Sequence, residues 1–130
     1  MKPTKHATTN YKRLLPFIVR LGDDGHRRFE SDGYMPLVLE KLYIDGGATV
    51  YSLTHYGEQN GDMMADPDME LKVDFDAGTV EPLTYQNDYM GVFQQVYINR
   101  DGQRLYNPRL RTDLDDFLWR WLRNIEAQGF

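Results

Sequence analysis

The sequence predicts an α+β domain, with an antiparallel sheet of about five strands and an N-terminal and a C-terminal helix packed on one face of it. Three observations predict this. Leu37 to Ile44 and Thr49 to Tyr56 are β-branched and aromatic runs joined by Asp45-Gly46-Gly47, and Gly supplies the positive φ that a tight hairpin turn requires. Met69 to Phe75 alternates, with Met69, Leu71, Val73 and Phe75 facing one way and Asp68, Glu70, Lys72 and Asp74 the other, as in a strand with one dry and one wet face. Leu110, Leu114, Phe117, Leu118, Trp121, Leu122 and Ile125 fall on one helical stripe.

Thr9 to Leu21 opens the chain as a helix, carrying Tyr11, Leu14, Leu15, Ile18 and Leu21 at helical spacing. Thr9 or Asn10 is available as N-cap and Gly22 as a stop, while Pro16 implies a start near Leu15 or a kink. Asp23 to Gly33 reads as a polar loop. After the hairpin and the Met69 strand, Asp76-Ala77-Gly78 is a turn. Thr79 to Tyr85 is the next strand, with Pro82 pointing to an edge or a bulge, and Gly91 to Asn99 is a fifth, closed by Arg100-Asp101-Gly102. The last helix has Thr112 and Asp113 as caps, Asp115 and Asp116 at its positive dipole end, and Gly129 as its stop. The expected layout is one domain over 1–130: helix and loop in 1–33, sheet in 34–106 and helix in 107–130.

At 130 residues the chain is long enough to bury a core without a metal or a disulfide. It has no Cys, which excludes thiol catalysis, thiolate metal sites and disulfide frameworks, and fits a cytoplasmic protein. Met1 to Asn10 is polar, against a signal peptide, and no apolar run reaches the roughly 20 residues of a membrane span. The net charge of −5 is uneven: Met1 to Glu30 holds seven of the fifteen basic residues, and Glu58 to Asp88 holds nine acids against the single base Lys72. Basic residues without interleaved aromatics argue against nucleic acid as a partner, with Arg27-Arg28 beside His26 the best phosphate contact on offer.

The chemistry-bearing stretch is Tyr51 to Asp68, read as a polar loop between strands. His55, Glu58 and Asp62 are the residue types that bind zinc and similar ions, but their spacing matches no known zinc pattern. Asp66, Asp68 and Glu70 alternate without the Gly and distal Glu of an EF-hand, which suits the wet face of a strand better. Ser52 and His55 project from opposite faces of one strand, and there is no G-x-S-x-G elbow, P-loop or G-x-G-x-x-G. Tyr85-Gln86-Asn87-Asp88-Tyr89 follows a strand and forms a composite pocket with Tyr56-Gly57-Glu58 if their strands are neighbours. Trp121 belongs to the core stripe and Trp119 to its flank, where exposure would mark an interface.

H-Y-G-E-Q-N-G-D-M-M-A-D-P-D-M-E (His55 to Glu70), P-L-T-Y-Q-N-D-Y (Pro82 to Tyr89), Val96-Tyr97 and the ending N-I-E-A-Q-G-F (Asn124 to Phe130) resemble a family of bacterial domains of unknown function. Those domains occur on conjugative elements and phage-like DNA of gut bacteria, alone or joined to antirestriction-type modules. The resemblance covers roughly Met35 to Phe130, implies a cytoplasmic accessory or anti-defence role, and carries over no catalytic residue.

Three expectations follow. The favoured one is a non-enzymatic domain that binds a protein through His55, Tyr56, Glu58, Gln59, Asn60, Asp62, Gln86, Asn87 and Tyr89, without metal or cofactor. The rival is a metal-dependent hydrolase or nuclease-like enzyme with His55, Glu58 and Asp62 as ligands and Asp66 or Asp68 in support. The third is a structural module with an apolar patch at Trp119 or Phe130.

Overall fold

The computed structural model describes residues 1–130. Helix α1 (Ala7–Val19) leads into β1 (His26–Phe29), β2 (Leu37–Asp45), β3 (Ala48–Gln59), β4 (Asp62–Asp74), β5 (Thr79–Pro82), β6 (Thr84–Asn87), β7 (Val92–Gln95), β8 (Tyr97–Arg100) and β9 (Gln103–Tyr106), and α2 (Pro108–Ala127) follows. The fold is α+β as the patterning predicts, but the main sheet has seven strands rather than five. Its order is β1-β2-β3-β4-β6-β7, with β5 also paired to β4, and every pairing is antiparallel. β8 and β9 form a separate hairpin.

The extra strands have identifiable causes. β1 is an edge strand whose His26, Arg27 and Arg28 stay exposed while Phe29 alone is buried, so it has the composition of a loop. The predicted strand from Thr79 to Tyr85 divides at Leu83 into β5 and β6, which lie end to end along β4. Across the break the Leu83 N–H donates to the Glu70 carbonyl. The Gly91 to Asn99 run divides at Val96, whose N–H donates to the Leu83 carbonyl and whose carbonyl accepts from Asn107. Beyond Val96 the chain pairs with β9 through a tight turn in which Asp101 and Gly102 both take positive φ.

Both helices lie on one face of the main sheet. Leu14 and Phe17 of α1, and Leu118, Trp121, Leu122 and Ile125 of α2, pack with Leu37, Leu39, Leu53, Met69, Leu71 and Val73 in one buried cluster. Each large aliphatic side chain sealed there contributes about 1.5–3 kcal/mol over its exposed state. α1 runs through Pro16 and begins at Ala7, two residues before the expected start, because Ala7 and Asn10 are buried members of its inner stripe. α2 also starts earlier than Thr112. Asn107 is its N-cap, with the side chain accepting from the Leu110 N–H at 3.0 Å, and Pro108 occupies the first turn, where a missing N–H costs nothing. Gly129, at φ 88°, ends α2, with Gly129 and Phe130 N–H groups donating back to Glu126 and Ile125 carbonyls.

Candidate functional site

The stretch read as a loop from Tyr51 to Asp68 is a long β-hairpin. β3 and β4 pair from Thr49↔Val73 out to Gln59↔Asp62, leaving only Asn60-Gly61 between them. Both turn residues take positive φ, 53° and 84°, which is the geometry a two-residue hairpin turn needs and which Asn-Gly favours. The hairpin carries one bulge, where His55 faces both Asp66 and Pro67. Pro67 donates nothing to a ladder, so the bulge is where a central strand can hold it.

His55 is a core residue. It is 7% exposed, on the helix face of β3, with Trp121 at 5.6 Å and Phe130 at 5.4 Å between ring centroids. Its Nδ1 faces the Met35 and Pro36 carbonyls at 3.1 and 3.3 Å, so the proton sits on Nδ1 and the ring is a donor. Burial pushes its pKa below the ordinary 6.5, against the pull of those two carbonyls and of Asp66. The folded state therefore holds His55 neutral, and the unfolded chain takes up the proton first as pH falls. This contribution to stability is full above about pH 6.5 and is lost as pH drops below it. The expected result is an imidazole NMR titration with a midpoint under 6.5; a midpoint above it would contradict the burial argument.

The metal reading fails on geometry. His55 and Glu58 are three positions apart on one strand, about 10 Å along it and on opposite faces. Glu58, Gln59, Asn60 and Asp62 are exposed at the hairpin tip. His55, Glu58 and Asp62 form no common cluster, and the single group of metal-ligating types in the molecule is His6, Asp115 and Asp116.

β4 separates β3 from β6, so the strands of the two polar stretches are not neighbours, and the stretches meet across β4, at Tyr89 on Gly57. The turn after β6 is fastened along β4: Asp88 exchanges bonds with Ala65, its N–H to the Ala65 carbonyl and its Oδ2 accepting from the Ala65 N–H, both at 2.8 Å. Asn87 Nδ2 donates to Asp66 Oδ1 at 2.7 Å, Gln86 Nε2 donates to Asp88 Oδ1 at 2.8 Å, and Asn87 Oδ1 accepts from the Met90 N–H. Gln86 and Asn87 are thus fasteners within the fold. Tyr89 lies across Gly57, where a Cβ would overlap its hydroxyl and meet Met35 Sδ at 3.1 Å, so glycine there makes room for the tyrosine. Met63 at the hairpin tip, Tyr89 and Met90 in the turn after β6 and Phe93 on β7 are 57, 45, 71 and 57% exposed.

The face of the sheet away from the helices is less wet than the alternation implies. Asp68 and Glu70 are half-buried, and burial raises both carboxyl pKa values, with the Thr54 hydroxyl opposing the rise at Asp68. Asp68 Oδ1 is buried without a partner. Tyr56 stands beside it, its phenol raised by burial and by the Asp68 charge. On the same face a cavity of about 420 Å³ is lined by Tyr43, Glu70, Lys72, Thr84, Tyr97 and Arg104 among others. Its walls come from β2, β4, β6, β7, β8 and β9, a gathering that no sequence spacing signals. Trp119, the flank residue of α2, is half-buried: His6 stacks on it at 5.0 Å, and the Arg13 and Arg123 guanidinium groups lie 5.5 and 4.7 Å from its ring.

No curated protein and no solved structure matches the chain. A family model described as a domain of unknown function, DUF6908, matches residues 9–130. That span begins well before Met35, so α1 and β1 are part of the family's domain and not an appendage to it. The chain belongs to the DUF6908 family of domains of unknown function.

Proposed function

We propose that this domain is a non-enzymatic protein-binding module whose contact surface is the outer end of the β3–β4 hairpin together with the turn after β6. The observation that supports this most is the set of four exposed apolar side chains there, Met63, Tyr89, Met90 and Phe93, next to the exposed acids Glu58 and Asp62. Flexible Met beside rigid aromatic side chains is the composition of surfaces that bury on binding. The acids select a partner with an apolar segment flanked by basic residues. Tyr56 and Tyr89 bracket the surface, one on each face of the hairpin. The resemblance of the His55 to Glu70 motif to domains of mobile elements supports an accessory, anti-defence role in a bacterial cytoplasm, with the partner belonging to the host.

A photo-crosslinking amino acid at Met90, compared with one at exposed Ala127, tests this in the native host. The expected result is one defined adduct from Met90 and none from Ala127. The triple replacement Tyr56→Ala, Glu58→Ala, Tyr89→Ala should remove the adduct while leaving the far-UV circular dichroism unchanged. Equal labelling from both positions, or an adduct that survives the triple replacement, would sink the reading.

A further inference from the structure

The segment before α1 is bound to the start of α2 through one buried carboxylate. Asp115 is 1% exposed; its Oδ1 accepts from the Thr4 hydroxyl at 2.6 Å and its Oδ2 from the His6 N–H at 2.9 Å. The same segment delivers the His6 ring to Asp116, with Nε2 3.1 Å from Oδ1, and the stack on Trp119 fixes the ring plane. The ligating atoms of His6, Asp115 and Asp116 lie within 4.8 Å of one another. No Lys or Arg side chain pairs with either carboxylate. Asp115 meets the N-terminus of α1 through the N–H of its N-cap His6, and beside the second carboxylate the His6 ring is the one ionisable partner, so no full fixed positive charge faces the pair.

Asn10 supplies the independent observation. It is 0% exposed, and its amide faces Asp115, with Nδ2 3.4 Å from both Asp115 Oδ1 and the Asp115 carbonyl. Those contacts are at the outer limit of hydrogen bonding, and Asn10 Oδ1 is buried with no partner at all. Turning the amide over exchanges its oxygen and nitrogen without moving the rest of the side chain. The oxygen then faces the carboxylate, an arrangement that a cation between them stabilises.

We propose that His6, Asp115, Asp116 and the Asn10 amide oxygen form a binding site for one divalent transition-metal ion of the zinc class. Imidazole with carboxylates is a zinc-type donor set, and bond lengths of about 2.0–2.2 Å put neighbouring ligand atoms a little over 3 Å apart. The His6–Asp116 separation already meets that spacing, and small side-chain rotations bring in the rest. Thr4 and the His6 N–H hold Asp115 in orientation, as outer-shell donors do for metal-binding carboxylates. The ion staples the leading segment to α2. The site is remote from the hairpin surface and independent of its role.

The test is zinc binding to the full chain after chelator treatment, followed by calorimetry and thermal unfolding. The expected result is one equivalent bound, with a saturable rise in the unfolding midpoint through binding to the folded state. His6→Gln and Asp116→Asn should each weaken binding at least tenfold, while His26→Gln leaves it unchanged. Both residues lie outside the hydrophobic core, and circular dichroism of the metal-free variants checks that they fold. Cobalt in place of zinc should give a visible absorption band lost in the same two variants. No uptake beyond that of the His6→Gln, Asp116→Asn double variant would overturn the proposal, as would an unchanged affinity in either single variant.

Discussion

Replacing Trp121 by alanine is expected to cost about 3–5 kcal/mol. Trp121 is 6% exposed and meets Phe117 at 6.1 Å and His55 at 5.6 Å, so it joins α2 to the sheet at the point where the hairpin leaves the helices. Its indole Nε1–H is buried without a partner, so truncation forfeits packing and no hydrogen bond. Urea unfolding monitored by circular dichroism would read the loss. A second readout is specific to the site. With the ring gone, water reaches His55, and the imidazole midpoint should move back up toward 6.5. A loss under about 1 kcal/mol would mean that the space collapses, and that α2 is held by its other contacts.

The second large effect is expected at Glu81. Its Oε1 accepts from Arg111 Nε at 2.7 Å and from the Tyr97 hydroxyl, joining β5, α2 and the β8–β9 hairpin. The side chains of Arg111 and Glu81 are 14 and 24% exposed. Glu81→Ala leaves the guanidinium without its counter-charge, holding only the Lys2 carbonyl, and the phenol without its carboxylate acceptor, at a cost of about 2–3 kcal/mol, less than for a fully buried pair. Tyr97→Phe removes only one neutral donor and should cost about 1 kcal/mol. Amide exchange locates the effect: β8 and β9 should exchange faster in Glu81→Ala while the β3–β4 centre stays protected. Burial and the Glu81 contact push the Tyr97 phenol up to about 12 from 10.0, so the unfolded chain loses this proton first. The contribution is full below about pH 10 and disappears as pH rises through 12. Unchanged stability in Glu81→Ala would show that the hairpin is held by its backbone bonds to Val96 and Leu83 alone.

The fold class was legible because the strongest patterns sit where burial is one-sided. Met69 to Val73 and the α2 stripe needed only periodicity to be read. The β3–β4 hairpin was misread because its outer half buries little. Past His55 the residues that keep two strands paired are Glu58, Gln59, Asp62 and Met63, whose backbone bonds leave no trace in hydropathy. The signal that would have found it, Asn60-Gly61, was in view and outweighed by the polar crowd around it. β1 carried no such signal, since an edge strand with one buried residue looks like a loop. The α2 start was likewise written in Asn107-Pro108, ahead of the acidic residues taken as caps.

For the site, the meeting of Tyr89 with Gly57 reaches across β4 between strands that are not neighbours, which no spacing in the sequence signals. Asn87 is buried and bonds Asp66 of β4, while half-buried Gln86 bonds Asp88 in the turn, so both brace the surface as well as bordering it. His55, a ligand in the metal reading, is a packed ring whose Nδ1 bonds backbone carbonyls. The group with a metal-type donor set joins residues 6, 115 and 116, a separation that no local motif can encode.

The Thr4–Asp115 bond spans 111 positions, and this bears on how the chain is made. At a synthesis rate of about 5–20 residues per second, the first helix waits roughly 5–20 seconds for the residue that anchors it. During that time Phe17 can settle on Phe29, and the two-residue turns can close the central strands. Asn10 and the seat of the leading segment have no partner yet. The sheet is therefore the part that a nascent chain can assemble on the ribosome, and the first residues are the last to be secured.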